Sequence, residues 1–231
     1  MQNIYQDGAY LESTPNWHQE DSRWKAEQVA RMLRKHDIMP STVTEIGCGA
    51  GEVLNCLATT LGAGVRFLGY DISPQAFDIC SGKESPRLHF VLGDLFEADE
   101  PNVDVMMALD VFEHVEDYFG FLRRLKDKGT YKIFHIPLEL SVQSVVRSSR
   151  ILRNRSSRGH LHYFTKETAL ATLRDTGYEV LDYQYTSGGI DLAKPGWKTN
   201  LMKPVRRLFF SLNQDLAVRV VGGFSLLVLT K

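Results

Sequence analysis

The 231-residue chain has little of what marks secreted, membrane-spanning or fibrous proteins. Its three cysteines, Cys48, Cys56 and Cys80, form no Cys-x-x-Cys pair and cannot all bond one another, which points to a reducing, cytoplasmic setting. The opening residues Met1-Gln2-Asn3-Ile4-Tyr5-Gln6-Asp7 carry neither the basic stretch nor the apolar core of a secretory signal. No uninterrupted apolar run approaches the ~20 residues that span a bilayer. Neither sign of charge is in excess: 27 Lys and Arg face 28 Asp and Glu, which argues against steering toward nucleic acid. Internal repeats and low-complexity segments are missing too. At 43% hydrophobic and 24% charged residues, the composition excludes collagen, coiled coil and wholesale disorder. Folding at this length buries about 70% of the surface, so the core needs neither disulfide nor metal.

What is present is an alternation of short strands and helices. The first 21 residues are expected to form an arm, followed by one domain over residues 22–231. From Ser22 to Lys35, Trp24, Val29, Met32 and Leu33 recur at helical spacing, with Asp21 or Ser22 as N-cap. Strands are expected at Thr42–Ile46, Val65–Tyr70, Leu88–Leu92, Val103–Ala108 and Thr130–Ile136, with two more at Tyr178–Tyr185 and Phe224–Leu229. Helices fall between them, at Val53–Leu61, Pro74–Cys80, Tyr118–Lys126 and Thr165–Thr176. Such alternation implies βαβ units on a parallel sheet.

The strongest local signal is Glu45-Ile46-Gly47-Cys48-Gly49-Ala50-Gly51-Glu52, where a strand runs into a glycine turn and then a helix. In open α/β sheets ligands bind at this edge. Asp71, Asp94 and Asp110 end three later strands on the same edge. Each alone reads equally well as a helix cap. Together they suit an adenosine, with Asp71 on the ribose and Asp94 on the adenine. Phosphates fit poorly: Glu52 stands where a dinucleotide fingerprint wants its third glycine, and there is no Walker lysine. No tyrosine has a lysine four residues later, as the short-chain dehydrogenase pair requires.

These residues resemble the class I S-adenosylmethionine-dependent methyltransferases of the small-molecule and glycan type. The likeness runs through Glu45–Gly51, Asp71, Gly93-Asp94, Leu109-Asp110-Val111-Phe112-Glu113-His114-Val115 and Gly159-His160-Leu161-His162-Tyr163-Phe164-Thr165. It implies a Rossmann-like, mostly parallel seven-stranded sheet with helices on both faces and an antiparallel last strand. It also implies S-adenosylmethionine as cofactor. Gly47 and Gly49 would admit the methionine part, Glu45 would lie near its amino group, and Leu109 and Asp110 would border it. Asp71 would hold the ribose, and Asp94 with Leu95 the adenine. Lys25 would pair with the cofactor carboxylate; a solvated helix lysine is the plainer alternative.

Methyl transfer to a hydroxyl benefits from a base, and histidine is the usual one. His114 and His162 are the candidates, each also readable as a pocket-wall hydrogen bonder, with His160 beside them. His160-x-His162 has metal-like spacing but no adjacent acidic partner, so no metal is expected. Two basic insertions stand out. Residues 140–158 hold Arg147, Arg150, Arg153, Arg155 and Arg158 with no acid; residues 194–219 hold Lys194, Lys198, Lys203, Arg206, Arg207 and Arg219 against Asp215. They read as solvated helices, as a peripheral membrane contact, or as the grip for an anionic small-molecule or glycan acceptor. A non-catalytic cofactor-binding regulator would share the glycine loop. The oligomeric state stays open.

Overall fold

The computed structural model describes residues 19–99, 101–192 and 197–231. Residues 1–18 of the expected arm lie outside them. Residues 19–21 already belong to helix α1 (Gln19–Lys35), so Asp21 and Ser22 sit in its first turn and neither is its N-cap. Asp21 favours that position through the helix dipole. Ala26, Val29, Ala30, Met32 and Leu33 are buried along one side of α1, as their spacing demands.

Seven strands form one sheet in the order β3-β2-β1-β4-β5-β7-β6. They are β1 (Thr42–Ile46), β2 (Arg66–Asp71), β3 (Leu88–Leu92), β4 (Val103–Leu109), β5 (Gly129–Leu138), β6 (Val180–Thr186) and β7 (Phe224–Thr230). The first five pair in parallel, and β7 runs antiparallel to both β5 and β6. Helices α2 (Glu52–Thr60) and α3 (Pro74–Cys80) follow β1 and β2, and α4 (Tyr118–Lys126) precedes β5. Two apolar layers cover the sheet. One gathers Phe112, Phe121, Phe134 and Phe164; the other joins α1 and α2 to Phe67, Val105 and Ile133.

β5 is longer than its apolar pattern suggests. It continues through Pro137, which faces Ser225 of β7, while pairing with β4 ends at His135. The missing N–H therefore falls where no β4 carbonyl waits for it. β6 begins later than expected. Gly177, at φ 91°, turns the chain, and Tyr178 is buried with its hydroxyl donating to the Leu122 carbonyl at 2.7 Å.

The basic segment after β5 folds as α5 (Val142–Arg147) and α6 (Ser149–Arg158), joined at Ser148 with φ 50°. Helix α7 (Lys166–Asp175) then starts at a capping box made by Thr165 and Thr168. The second basic segment forms α8 (Trp197–Leu212) and α9 (Gln214–Val221). Phe210 of α8 stacks on Phe224 at 5.0 Å, and α9 packs on α5, so the two basic segments meet. No helix among the described residues is long and apolar enough to cross a membrane.

Candidate active site

At the carboxyl edge of the sheet lies one cleft of about 800 Å³, a size typical of small-molecule sites. Its floor is the turn from β1 into α2, where Gly47, Gly49 and Gly51 have φ of 69°, 53° and 71°. At Gly47 a Cβ would also stand 2.8 Å from Val111 Cγ2, so backbone angle and packing both require glycine. The Gly47 and Cys48 amides donate to the Tyr70 carbonyl at 2.8 and 3.0 Å. Asp71 then locks the turn: Oδ2 accepts from the Gly49 amide at 2.7 Å and Oδ1 from the Ser73 amide at 2.8 Å. Burial raises its carboxyl, and these amides only partly offset that. Asp94 likewise accepts from the Phe96 amide at 2.9 Å, capping a short turn while lining the cleft. Asp71 thus braces the loop and Asp94 caps a turn while both line the cleft, and each carboxylate keeps lone pairs for a ligand.

Glu45 is buried beneath the loop, and its Oε2 has no hydrogen-bond partner. Burial pushes its carboxyl up, to about 8, against the pull of Lys25. Lys25 reaches over from α1, with Nζ 2.9 Å from Asp110 Oδ2 and 3.3 Å from Asp21 Oδ1. Burial opposes its charge, yet these two acids hold the ammonium protonated above its ordinary range. Asp110 takes φ 55°, just past the end of β4, and its Oδ1 lies 2.7 Å from His135 Nδ1. His135 Nε2 in turn meets the Thr186 hydroxyl at 2.9 Å. Burial alone would raise Asp110, but His135 and Lys25 outweigh it and hold the carboxyl well below the usual range.

His135 lines the cleft, a role its place inside an apolar strand conceals. Leu95 and Leu109 also line it. The histidine candidates separate. His114 lines the cleft, with its ring edge-to-face on His160 at 4.7 Å. His162 does not; it packs on Tyr118 and its Nε2–H donates to the Val115 carbonyl at 2.9 Å. His160 takes the place in the cleft that its neighbour was expected to fill. Of the arginines in α5 and α6, Arg150 and Arg158 line the cleft, whereas Arg153 is exposed elsewhere.

Residues 16–183 match the methyltransferase-domain family. The chain belongs to that family. It is a class I S-adenosylmethionine-dependent methyltransferase. Solved structures agree on the fold. Magnesium protoporphyrin IX methyltransferase from Synechocystis PCC 6803 aligns over 90% of this chain and 82% of its own, at 17% identity and TM-score 0.60. An S-adenosylmethionine-dependent methyltransferase from Archaeoglobus fulgidus covers 89% and 94%, at 22% identity and TM-score 0.57. The cyclopropane synthase MmaA2 from Mycobacterium tuberculosis covers 88% and 84%, at 17% identity and TM-score 0.59. A comparison with curated protein sequences finds no match.

The methyltransferase cleft fits such a cofactor. The orphaned, buried Glu45 oxygen calls for a cationic donor, which an amino-acid ammonium provides. The loop presents backbone without a Cβ, and Asp71 and Asp94 supply acceptors further along the same wall.

Proposed function

We propose that this methyltransferase alkylates a hydroxyl oxygen on a small-molecule or glycan acceptor that bears phosphate or carboxylate. What supports the reading is the gathering of arginines at the cleft. Arg150 and Arg158 line it, and the guanidinium of Arg206, from the other basic segment, comes together with that of Arg150 around Gly223. Burial, and after it Arg150, lowers the hold of Arg206 on its proton. Two like charges so placed are stabilised by an anion between them.

Bound, the cofactor supplies an electrophilic methyl on a sulfonium. Glu45 would hold the ammonium end, Lys25 would offer its remaining proton to the carboxylate end, and Asp71 and Asp94 would hold ribose and adenine. Gly47, Gly49, Leu109 and Asp110 shape the passage between. Transfer to a hydroxyl would form a carbon–oxygen bond as the carbon–sulfur bond breaks, with the hydroxyl proton passing to a base in the cleft. Catalysis rests on alignment plus removal of that proton. His114, which lines the cleft, is the base this reading assigns to that proton; His162, tied to the Val115 carbonyl, would have a supporting role.

Incubation with methyl-labelled cofactor and fractionated extract, followed by identification of the labelled product, tests this directly. A labelled anionic sugar or hydroxyl compound is expected. Label confined to neutral amines or to lipid carbon chains would overturn it.

A further inference from the structure

Glu113 is fully buried, and neither carboxylate oxygen has a hydrogen-bond partner in the protein. A buried carboxylate without donors is expensive, and protonation alone would leave a buried O–H with nothing to bond. Asp110 and Glu139 add negative potential there, and Lys25 offsets it only in part. What stands beside it is a pair of imidazoles. One ligand atom each from Glu113, His114 and His160 lie within 4.8 Å of one another.

We propose that Glu113, His114 and His160 form a divalent-metal site at the acceptor end of the cleft. Two imidazoles and one carboxylate suit Zn2+, Mn2+ or Fe2+, and such a set leaves coordination positions open. Donors about 2.1 Å from a metal need only a modest rotamer contraction from the present spacing. The outer contacts already have the form a metal site needs. His160 Nδ1 lies 2.9 Å from Glu139 Oε2, which fixes the ring and leaves Nε2 for a ligand. Asn154 donates to the other Glu139 oxygen. The Glu113 carbonyl accepts from the Leu161 and His162 amides at 2.8 and 3.1 Å, clamping the two ligand-bearing segments together. No acid stands beside residues 160–162 in the sequence; it arrives from the turn Phe112–His114 that follows β4.

All three residues line the cleft, so a metal held there would be open to the acceptor hydroxyl and would lower its pKa. That role rests on the proposed O-methylation, and in it His114 acts as a ligand rather than as a free base.

The test begins with chelator-treated protein titrated calorimetrically with Zn2+, Mn2+ and Co2+. One saturable site per chain is expected, with a rise in Tm on binding. Glu113→Gln and His160→Gln should each weaken binding at least tenfold, and Glu139→Gln by about 10–100-fold. Co2+ should show d–d absorption bands in the wild type that Glu113→Gln loses. If Glu113→Gln does not fold, His160→Gln carries the comparison alone. The absence of saturable binding by all three ions, or binding unchanged in both ligand variants, overturns the site. Turnover of a labelled acceptor separates the second claim. Binding with turnover indifferent to chelation leaves the metal site standing and removes its catalytic role; no methylated hydroxyl product at all removes the proposed reaction.

Discussion

Lys25 Nζ lies 2.9 Å from Asp110 Oδ2, tying the helix ahead of the sheet to the end of β4. The contact joins α1 to the wall of the cleft at the end of β4. Lys25→Met should cost about 1–3 kcal/mol of stability and weaken cofactor binding, because the half-buried Asp110 carboxylate then keeps only His135 as a partner. A double-mutant cycle with Asp110→Asn should show coupling between the two residues; additive effects would dissolve the link. The Asp110 carboxyl is depressed in the folded state. Its stabilisation is therefore present above the ordinary carboxylate range, and is lost as pH falls through the folded value. Urea unfolding of wild type and Asp110→Asn should thus converge only in acid, below about pH 4.

Glu45 gives the opposite sign. Its folded pKa is raised to about 8, so the folded chain holds a proton that the unfolded chain has released. Its favourable contribution is complete below the ordinary carboxylate pKa, and fades as pH rises toward 8. A cofactor ammonium reverses the preference by favouring the ionised carboxylate. Binding should then release a proton, and Kd should fall with pH across this window, by up to about tenfold per unit. Calorimetry in buffers of different ionisation enthalpy measures that proton, and Glu45→Gln should abolish it.

Asp71 serves the loop before it serves a ligand. Asp71→Ala should weaken S-adenosylmethionine binding by about 1–3 kcal/mol and also lower Tm, since the Gly49 and Ser73 amides lose their acceptor. A loss of affinity with Tm unchanged would limit Asp71 to the ligand alone.

Arg150 and Arg153 are three residues apart on α6, yet only Arg150 lines the cleft. Arg150→Glu should raise acceptor KM at least tenfold and leave cofactor Kd unchanged, with sensitivity to ionic strength. Arg153→Glu should do neither. Equal effects of the two substitutions on KM would mean that general surface charge, and not the cleft, draws the acceptor.

The glycine loop and the acids that follow the strands were legible because their function is local. Gly47, Gly49 and Gly51 must turn through positive φ, and strand periodicity places Asp71, Asp94 and Asp110 on one edge. The partners of those residues were not legible. His135 sits in an apolar strand, and nothing in its neighbours announces that Asp110 is 2.7 Å away. Glu113 was part of a quoted motif without a role, because only the short turn Phe112–His114 carries it inward to His160. Likewise, α6 periodicity does not say which arginine faces inward. Contacts between distant segments decide each of these cases, and a single sequence carries no record of them.

The placement of β7 between β5 and β6 sets an order of assembly. Strands β1 to β5 can pair as the chain grows, which completes the glycine loop and its acids. The sixth strand has no neighbour in the sheet until β7 folds back between it and β5, a closure that spans the basic helices α8 and α9. Loop-closure entropy grows only slowly with length, but pairings this distant are slow to form. A nascent or partly unfolded chain would therefore gain its grip on the nucleoside before its grip on the acceptor.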